Sequence, residues 1–293
     1  MSNTNFEAEE AKAEVEIATA IETANNAPPD ELIAGLGPSN AVLHFPLSKT
    51  TPKPQYKNAL EANEKPLLLT YFSIIGLGEV PKLLLAESQM PYECFACIGG
   101  EDQSLAVQWR SRSPNGLLPT LSGAGIPRST PISQSSTIIR FLAKKLGMDG
   151  KDSIESALID ILFETAKDLN SKKEEIVSTT SSKDYSVAKG PFATGKRIEK
   201  MLKNMSDPKD GNAALNYGQI QLFHVLEGLH ASRGGCVEEN LGSVLEGFRV
   251  DVRSRAGVKE YLSSKARFPW TKGELGGEGY VYATGPLKRG DIM

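Results

Sequence analysis

The order of the predicted elements constrains the fold more than any other feature of this chain. Between residues 65 and 149, short apolar runs alternate with amphipathic segments, whereas the sequence after residue 150 contains only helical patterns. Strands mixed with helices, followed by helices alone, indicate an α/β domain and then an all-helical domain. We therefore predict two domains, at residues 65–149 and 150–269.

The first domain reads as β-α-β followed by β-β-α. The run LLLTYFSI predicts a strand, and EVPKLLLAESQM predicts a helix with Pro81 in its first turn, where a missing N–H costs little. The run PYECFACI predicts the next strand, and GLLPTLSGAG and IPRSTPIS predict two short ones with prolines near their ends. The apolar stripe of QSSTIIRFLAKKLGM predicts a closing helix. Together these elements predict a mixed sheet with helices.

The second domain reads as a series of helices. The segments SIESALIDILFETAKDLNSKKEEIV, GKRIEKMLKNM, NLGSVLEGFRVDVRSR and GVKEYLSSKAR have amphipathic patterns. The segment YGQIQLFHVLEGLHA is apolar on several sides, which is typical of the buried helix of a bundle.

Two extensions flank these domains. Residues 1–64 carry Pro, Gly and polar breaks and predict an N-terminal extension that is partly disordered or draped on the domain. Within it, Glu7 to Glu22 is rich in Ala and Glu and predicts a short surface helix, with apolar residues at Phe6, Val15, Ile17 and Ile21. Its charges indicate a solvated face or, alternatively, a helix that docks on a partner. Residues 270–293 form a C-terminal tail.

Charge and hydropathy exclude several classes of function. The net charge of -3 gives no basis for nucleic-acid binding, which needs a basic surface. No apolar run reaches the roughly 18 residues of a membrane span. The acidic N-terminus lacks the apolar core of a signal peptide, so we predict a cytoplasmic protein.

The three cysteines and three histidines do not predict a metal or redox site. Cys94 and Cys97 form a C-x-x-C, but they fall in a predicted strand, where residues three apart point to opposite faces. Cys236 follows two glycines, and the histidines have no ligand spacing with the cysteines. We therefore expect no metal, and we interpret these residues as structural.

Four short segments carry the candidate functional residues. Tyr71 lies in LLLTYFSIIGLGE, where a predicted strand ends at a glycine turn. The other three segments are SPNGLLPTL with Leu118 and Pro119, ISQSSTIIRFLAKKLG with Gln134 and Ser135, and ESALIDILFETAKDL with Asp160 and Asp168.

In this order and spacing, the four segments resemble the cytosolic glutathione S-transferases. The resemblance is greatest to the sigma-like class, which includes glutathione-dependent prostaglandin D synthases. It runs from about Lys65 to Pro269 and is thin between residues 170 and 216. It implies a thioredoxin-like N-terminal domain and an all-helical C-terminal domain, usually paired in a homodimer. It also implies glutathione as co-substrate and a small electrophile as its partner in the reaction.

The resemblance implies a role for each candidate residue. Tyr71 would donate a hydrogen bond to the glutathione sulfur, which favours the thiolate that attacks an electrophile. Leu118, which precedes a cis-proline at Pro119, would pair with the cysteine of glutathione through its backbone. Gln134 and Ser135 would hold the γ-glutamyl group at a helix N-terminus, where free N–H groups favour a carboxylate.

Three further positions follow from the same resemblance. Trp109 would lie near the glycine end of glutathione, and Arg112 or Arg110 would hold the glycyl carboxylate. Asp168 would reach the γ-glutamyl amine of the neighbouring subunit, whereas Asp160 is interpreted as structural. Structural alternatives stay open for the others: Tyr71 as ordinary core, Trp109 as packing, and Ser135 as the N-cap of its helix.

The chain departs from the family pattern at two arginine positions. Ile75 and Leu77 stand where the family has arginines, and the second of these normally supports the tyrosine and the thiolate. Asn216 and Gln219 replace the usual cap of the buried helix and predict a working capping box. Gly76 and Gly78 do not continue into a dinucleotide-binding motif, since its third glycine would fall at a proline.

These observations predict a glutathione S-transferase that conjugates small electrophiles. The alternative is a transferase-like subunit or scaffold with weak catalysis, favoured by Leu77 and by the two extensions. A thiol-reducing transferase is disfavoured, because it would need a cysteine at the position of Tyr71.

Overall fold

The computed structural model describes residues 41–45, 53–60, 66–72, 74–97, 113–127, 129–178, 190–264 and 267. The strands are β1 (Ala41–Phe45), β2 (Leu67–Phe72), β3 (Tyr92–Cys97), β4 (Thr120–Ser122) and β5 (Ile132–Ser133). The helices are α1 (Glu79–Glu87), α2 (Ser135–Leu146), α3 (Ser153–Ser171), α4 (Lys173–Ser178), α5 (Pro191–Leu202), α6 (Tyr217–Ser232), α7 (Cys236–Leu241), α8 (Ser243–Ser254) and α9 (Ala256–Leu262).

The five strands form one mixed sheet in the order β1-β3-β2-β4-β5. β2 and β3 are parallel and are joined by α1, which gives a β-α-β unit. β4 pairs antiparallel with β2, and β5 pairs antiparallel with β4. The predicted β-α-β and β-β-α order is confirmed, as is the α/β domain followed by helices.

The sheet contains a strand that the sequence analysis did not predict. β1 pairs antiparallel with β3, with Ala41 opposite Ala96 and Phe45 opposite Tyr92. Phe45 is buried and its ring contacts the rings of Tyr92 and Tyr261. A five-residue run between polar breaks gives little periodicity, because its partner strand lies about 50 residues further along the chain. Part of the N-terminal extension therefore closes one edge of the sheet.

The helical domain is built around α6, whose residues are mostly buried. Its N-terminus carries the predicted capping box: the Asn216 side chain accepts from the Gln219 N–H, and the Gln219 side chain accepts from the Asn216 N–H. α3 packs along α6, and its N-cap is Asp152, whose carboxylate accepts from two backbone N–H groups of the first turn.

A buried charge joins the two domains and the N-terminal extension. Glu87, at the end of α1, is fully buried, and its Oε1 accepts from Arg255 Nε at 2.8 Å and from Tyr56 Oη at 2.9 Å. Lys53 also pairs with this carboxylate, at 3.1 Å. Tyr56 Oη in turn accepts from the Leu215 N–H, so residues 53–60 are fixed at the domain junction.

A second junction depends on a close approach of α9 to α1. A Cβ on Gly257 would lie 2.0 Å from the Ala86 carbonyl oxygen, so only glycine fits there. Beside it, Tyr261 donates to the buried Glu79 at 2.7 Å. In the part of the chain that the structure describes, no helix has the length and hydropathy to cross a membrane.

Candidate active site

Tyr71 lies near the C-terminal end of β2, one residue before the strand ends. Its side chain is 6% exposed and packs with Leu68, Phe95 and Leu118 in a small cluster separate from the main core. The cluster holds the ring in place at the C-terminal end of β2, and the C-terminal ends of strands are where functional side chains commonly meet in α/β folds.

The glycine turn after β2 is shaped around this tyrosine. A Cβ on Gly76 would lie 2.8 Å from Tyr71 Oη, and a Cβ on Gly78 would lie 2.6 Å from its Cδ1. Both contacts are closer than real side chains make, so the turn needs glycine at these two positions. This explains why a β-type run ends in a tyrosine and a glycine turn before α1 begins.

The hydroxyl of Tyr71 accepts a hydrogen bond from the backbone. The Leu77 N–H donates to Tyr71 Oη at 3.0 Å. A hydroxyl that accepts one hydrogen bond is polarised and becomes a better donor in another direction. The Leu77 side chain itself points outward and is 61% exposed. The sequence analysis treated Leu77 only as a lost charge and missed this donor, because a backbone N–H leaves no signal in residue identity.

Strand pairing brings the other candidate residues to the same end of the sheet as Tyr71. Thr70 pairs with Thr120, so continuing the register places Tyr71 opposite Pro119. Thr120 pairs with Ser133, so the same continuation places Pro119 opposite Gln134. The Leu118–Pro119 peptide bond is cis, as the resemblance implied. Tyr71, the Leu118–Pro119 pair and the start of α2 are therefore neighbours.

α2 begins beside this edge with a distinctive backbone turn. Gln134 has φ 69° and ψ 117° and occupies the N-cap position, without a side-chain cap hydrogen bond. Ser135 is the first helical residue, so the structural alternative that Ser135 is the N-cap is wrong. The reason is the positive φ of Gln134, which turns the chain into the helix one residue earlier. The N-terminus of α2, with its free N–H groups and the positive end of its dipole, lies beside the end of the sheet that holds Tyr71.

The two acids of α3 differ in their surroundings. Asp160 accepts from Arg140 Nε at 2.9 Å and from Tyr217 Oη at 2.8 Å, so it ties α2, α3 and α6 together as a structural residue. Burial and the hydrogen bond to Asp160 raise the pKa of the Tyr217 hydroxyl. Asp168 lies eight residues further on and is exposed.

Three candidate residues lie outside the described residues: Trp109, Arg112 and Arg110. Cys94 is buried in β3, and burial raises the pKa of its thiol, which disfavours redox chemistry there. The side chain of Cys97 also lies outside the part of the chain that the structure describes. Across the described ranges, no group of three or more His, Cys, Asp or Glu residues is arranged to hold a metal ion.

The sequence is similar to those of several nematode enzymes. It is 33% identical over 212 residues to a protein named glutathione S-transferase P from Caenorhabditis elegans, a match that covers 68% of this chain and 93% of the relative. It is 25% identical over 206 residues to glutathione S-transferase 2 from Onchocerca volvulus, covering 67% and 92% of the two chains. None of the known protein-family models matches the chain.

Solved structures agree on the fold. A Pi-class glutathione S-transferase from Onchocerca volvulus superposes with a TM-score of 0.55 at 24% identity, covering 72% of this chain and all of the other. A monomeric glutathione S-transferase from Necator americanus gives a TM-score of 0.52 at 20% identity, covering 71% and 100%. The relative from Caenorhabditis elegans is matched over almost its whole length, at more than 30% identity. The chain therefore belongs to the glutathione S-transferase family.

Proposed function

We propose that this protein conjugates the thiolate of glutathione to small electrophiles, with Tyr71 as the catalytic residue. The observation that carries the proposal is the Tyr71 hydroxyl, which accepts from the Leu77 N–H and is packed by the glycine turn. The polarised O–H would donate to the glutathione sulfur and stabilise its charged form. The thiol proton leaves to solvent, and the sulfur lone pair then forms the bond to the electrophilic atom. In a substitution the leaving group departs with the electron pair of the broken bond, and in an addition the displaced π electrons take up a proton from solvent.

The remaining glutathione contacts are proposed from the family resemblance and from their place at the sheet edge. Leu118 and Pro119 would hold the cysteine through the backbone, and Gln134 and Ser135 would hold the γ-glutamyl carboxylate at the start of α2. Trp109 and Arg112, with Arg110 as the alternative to Arg112, would hold the glycine end. Four of these residues lie within reach of one another by strand register, which supports their acting on one ligand.

Leu77 is the main argument for weak catalysis. A leucine there supplies no positive charge beside a developing thiolate, whereas its backbone N–H supplies a fixed dipole to the tyrosine. The dipole compensates in part, so we propose an active enzyme whose glutathione thiol is acidified less than it would be beside an arginine. The alternative is a transferase-like subunit or scaffold that binds glutathione without turnover.

We also propose that two copies form a homodimer through the outer face of α3. Three of its large apolar side chains are half or more exposed at helical spacing: Ile154, Leu158 and Ile161. Asp168 lies two turns beyond Ile161 on the same face, since residues 161, 165 and 168 follow the i, i+4, i+7 pattern. A partner bound to this face would meet Asp168, as its proposed contact with the neighbouring glutathione requires.

The finer class, the compartment and the physiological role are proposals as well. We propose a sigma-like enzyme, on the motif order around Tyr71 and the cis-proline. A solved structure named prostaglandin synthase D from Nilaparvata lugens shares the fold at 20% identity and a TM-score of 0.50. A detoxifying role in the cytoplasm agrees with the proposed substrates.

The test is glutathione binding by calorimetry, combined with a conjugation assay on a general aromatic electrophile. Binding together with turnover is the expected result. Binding without turnover would favour the scaffold, and Leu77→Arg should then restore conjugation if the missing charge is the cause. Absence of binding would contradict the proposed site as a whole.

A further inference from the structure

A groove of about 940 Å³ lies between α3 and α5, away from Tyr71. We call it the basic groove. Its apolar floor is formed by Met148, Leu158, Ile161, Met201, Met205 and Leu215. None of the proposed glutathione contacts that the structure describes lines it. The groove is therefore a separate surface that the proposed reaction leaves unexplained.

The rim of the groove is strongly positive. Among the described lining residues it carries four cationic side chains and one carboxylate: Lys57, Lys151, Arg197, Lys200 and Glu155. An apolar floor with a positive rim fits an amphipathic occupant whose charges are negative. The chain as a whole has net charge -3, so this local excess contrasts with the rest of the molecule.

We propose that residues 6–22 of this chain dock in the basic groove of the same molecule. The segment contains six glutamates and one lysine. At helical spacing, its sequence places Phe6, Ala13, Ile17 and Ile21 on one stripe, which also contains Glu10. The acids Glu7 and Glu14 border the stripe on one side, and Glu9 and Glu16 border it on the other. This mainly apolar stripe and its acidic borders match the apolar floor and the basic rim of the groove.

The path of the chain allows this docking. Residues 23–40 separate the segment from β1 and can span about 60 Å when extended, farther than the width of one domain. A later part of the N-terminal extension already reaches the groove, because Lys57 is one of the residues that line it. The Lys57 N–H donates to the Leu146 carbonyl at 2.9 Å, and its side chain packs on Gly147. The effective concentration of a tethered segment is high, so even a modest intrinsic affinity suffices.

Docking would also regulate the proposed homodimer, and this consequence depends on that proposal. Leu158 and Ile161 belong both to the groove floor and to the exposed face of α3. A docked segment and a partner subunit cannot cover the same side chains at once. The segment therefore acts as an internal competitor that weakens self-association.

The test uses the full chain with ¹³C-methyl-labelled methionine. Met201 and Met205 line the groove, whereas Met90 is fully buried away from it and serves as the silent control. The variant E9K/E14K/E16K reverses three border charges without touching the folded domains. It should shift the Met201 and Met205 methyl signals and leave that of Met90 in place. Adding K151E/K200E should restore the original signals by swapping both sets of charges.

Sedimentation of the same two proteins separates this proposal from the homodimer. Both protomers must release the segment before they pair, so if it occupies the groove nine-tenths of the time, releasing it should strengthen dimer association by about 100-fold. If neither charge reversal changes the Met201 and Met205 methyl signals, the docking proposal is overturned, even if a dimer forms. Methyl signals that respond while every variant stays monomeric would support the docking and overturn the homodimer instead.

Discussion

Gly78→Ala tests whether the glycine turn positions the catalytic tyrosine. Gly78 has φ -84° and ψ -11°, which alanine adopts without strain, so any effect comes from the added methyl group. That methyl would lie 2.6 Å from Tyr71 Cδ1 and 2.7 Å from Cγ. Carbon atoms in contact prefer about 3.5 to 4.0 Å, so the ring must retreat by about 1 Å.

A displacement of this size should be visible in the kinetics. The cluster of Leu68, Phe95 and Leu118 packs on the ring and resists its movement, so the hydroxyl leaves its position beside the Leu77 N–H. Misplacing a reacting group by about 1 Å can cost about 100-fold, or about 2.7 kcal/mol of transition-state stabilisation. We expect kcat/KM for conjugation to fall by about 10- to 100-fold, while the protein still folds.

The matched control is Gly247→Ala in the middle of α8. A Cβ there meets nothing within 4 Å, so this variant should keep full activity and gain up to about 1 kcal/mol of stability from helix propensity. Thermal unfolding of both variants separates lost folding from lost positioning. If Gly78→Ala keeps kcat/KM within about twofold of the native protein, the positioning role of the turn is wrong.

Three further predictions concern stability and reactivity. Tyr56→Phe removes a donor from the buried Glu87 and leaves the Leu215 N–H without its acceptor, so chemical denaturation should show that the free energy of unfolding falls by roughly 2–4 kcal/mol. Tyr217→Phe is the control, because its acceptor Asp160 has a side chain that is 40% exposed, and it should cost no more than about 1 kcal/mol. Equal losses in the two variants would contradict the burial argument. Asn216→Ala breaks the capping box of α6 and should lower the free energy of unfolding by about 1–2 kcal/mol, whereas Asn216→Ser should retain most of it; a neutral alanine variant would show that the cap is dispensable. Burial raises the pKa of Cys94 and of Cys236, so both thiols should resist alkylation at pH 8 until the protein is unfolded, and rapid labelling of either thiol in the native protein would refute this.

Local signals were sufficient for much of the fold. The β-α-β and β-β-α order follows from periodicity within short windows, and the capping box at Asn216 and Gln219 is visible as two residues three apart. The cis bond before Pro119 and the juxtaposition of Tyr71 with the start of α2 came from the family resemblance, because nothing in their spacing alone requires either.

The features that were missed depend on contacts between distant residues. β1 is a short edge strand whose partner lies far along the chain. Glu87 and Arg255 are 168 residues apart, and neither residue type signals a buried ion pair that also holds the N-terminal extension. At Leu77, the side chain indicated a loss of charge, whereas the backbone supplies the donor. The sequence identifies side chains more readily than it identifies which backbone groups will meet them.

The pKa of the glutathione thiol in the bound complex tests the central claim most directly. It can be followed by the ultraviolet absorbance of the thiolate as a function of pH, in the native protein and in Tyr71→Phe. A hydrogen bond to a charged group contributes about 1.5–3 kcal/mol, which corresponds to a pKa change of about 1 to 2. We predict that the bound thiol is more acidic than free glutathione, and that Tyr71→Phe raises its pKa by that amount with little change in binding. The same thiol pKa in both proteins would contradict the assignment of Tyr71 as the catalytic residue.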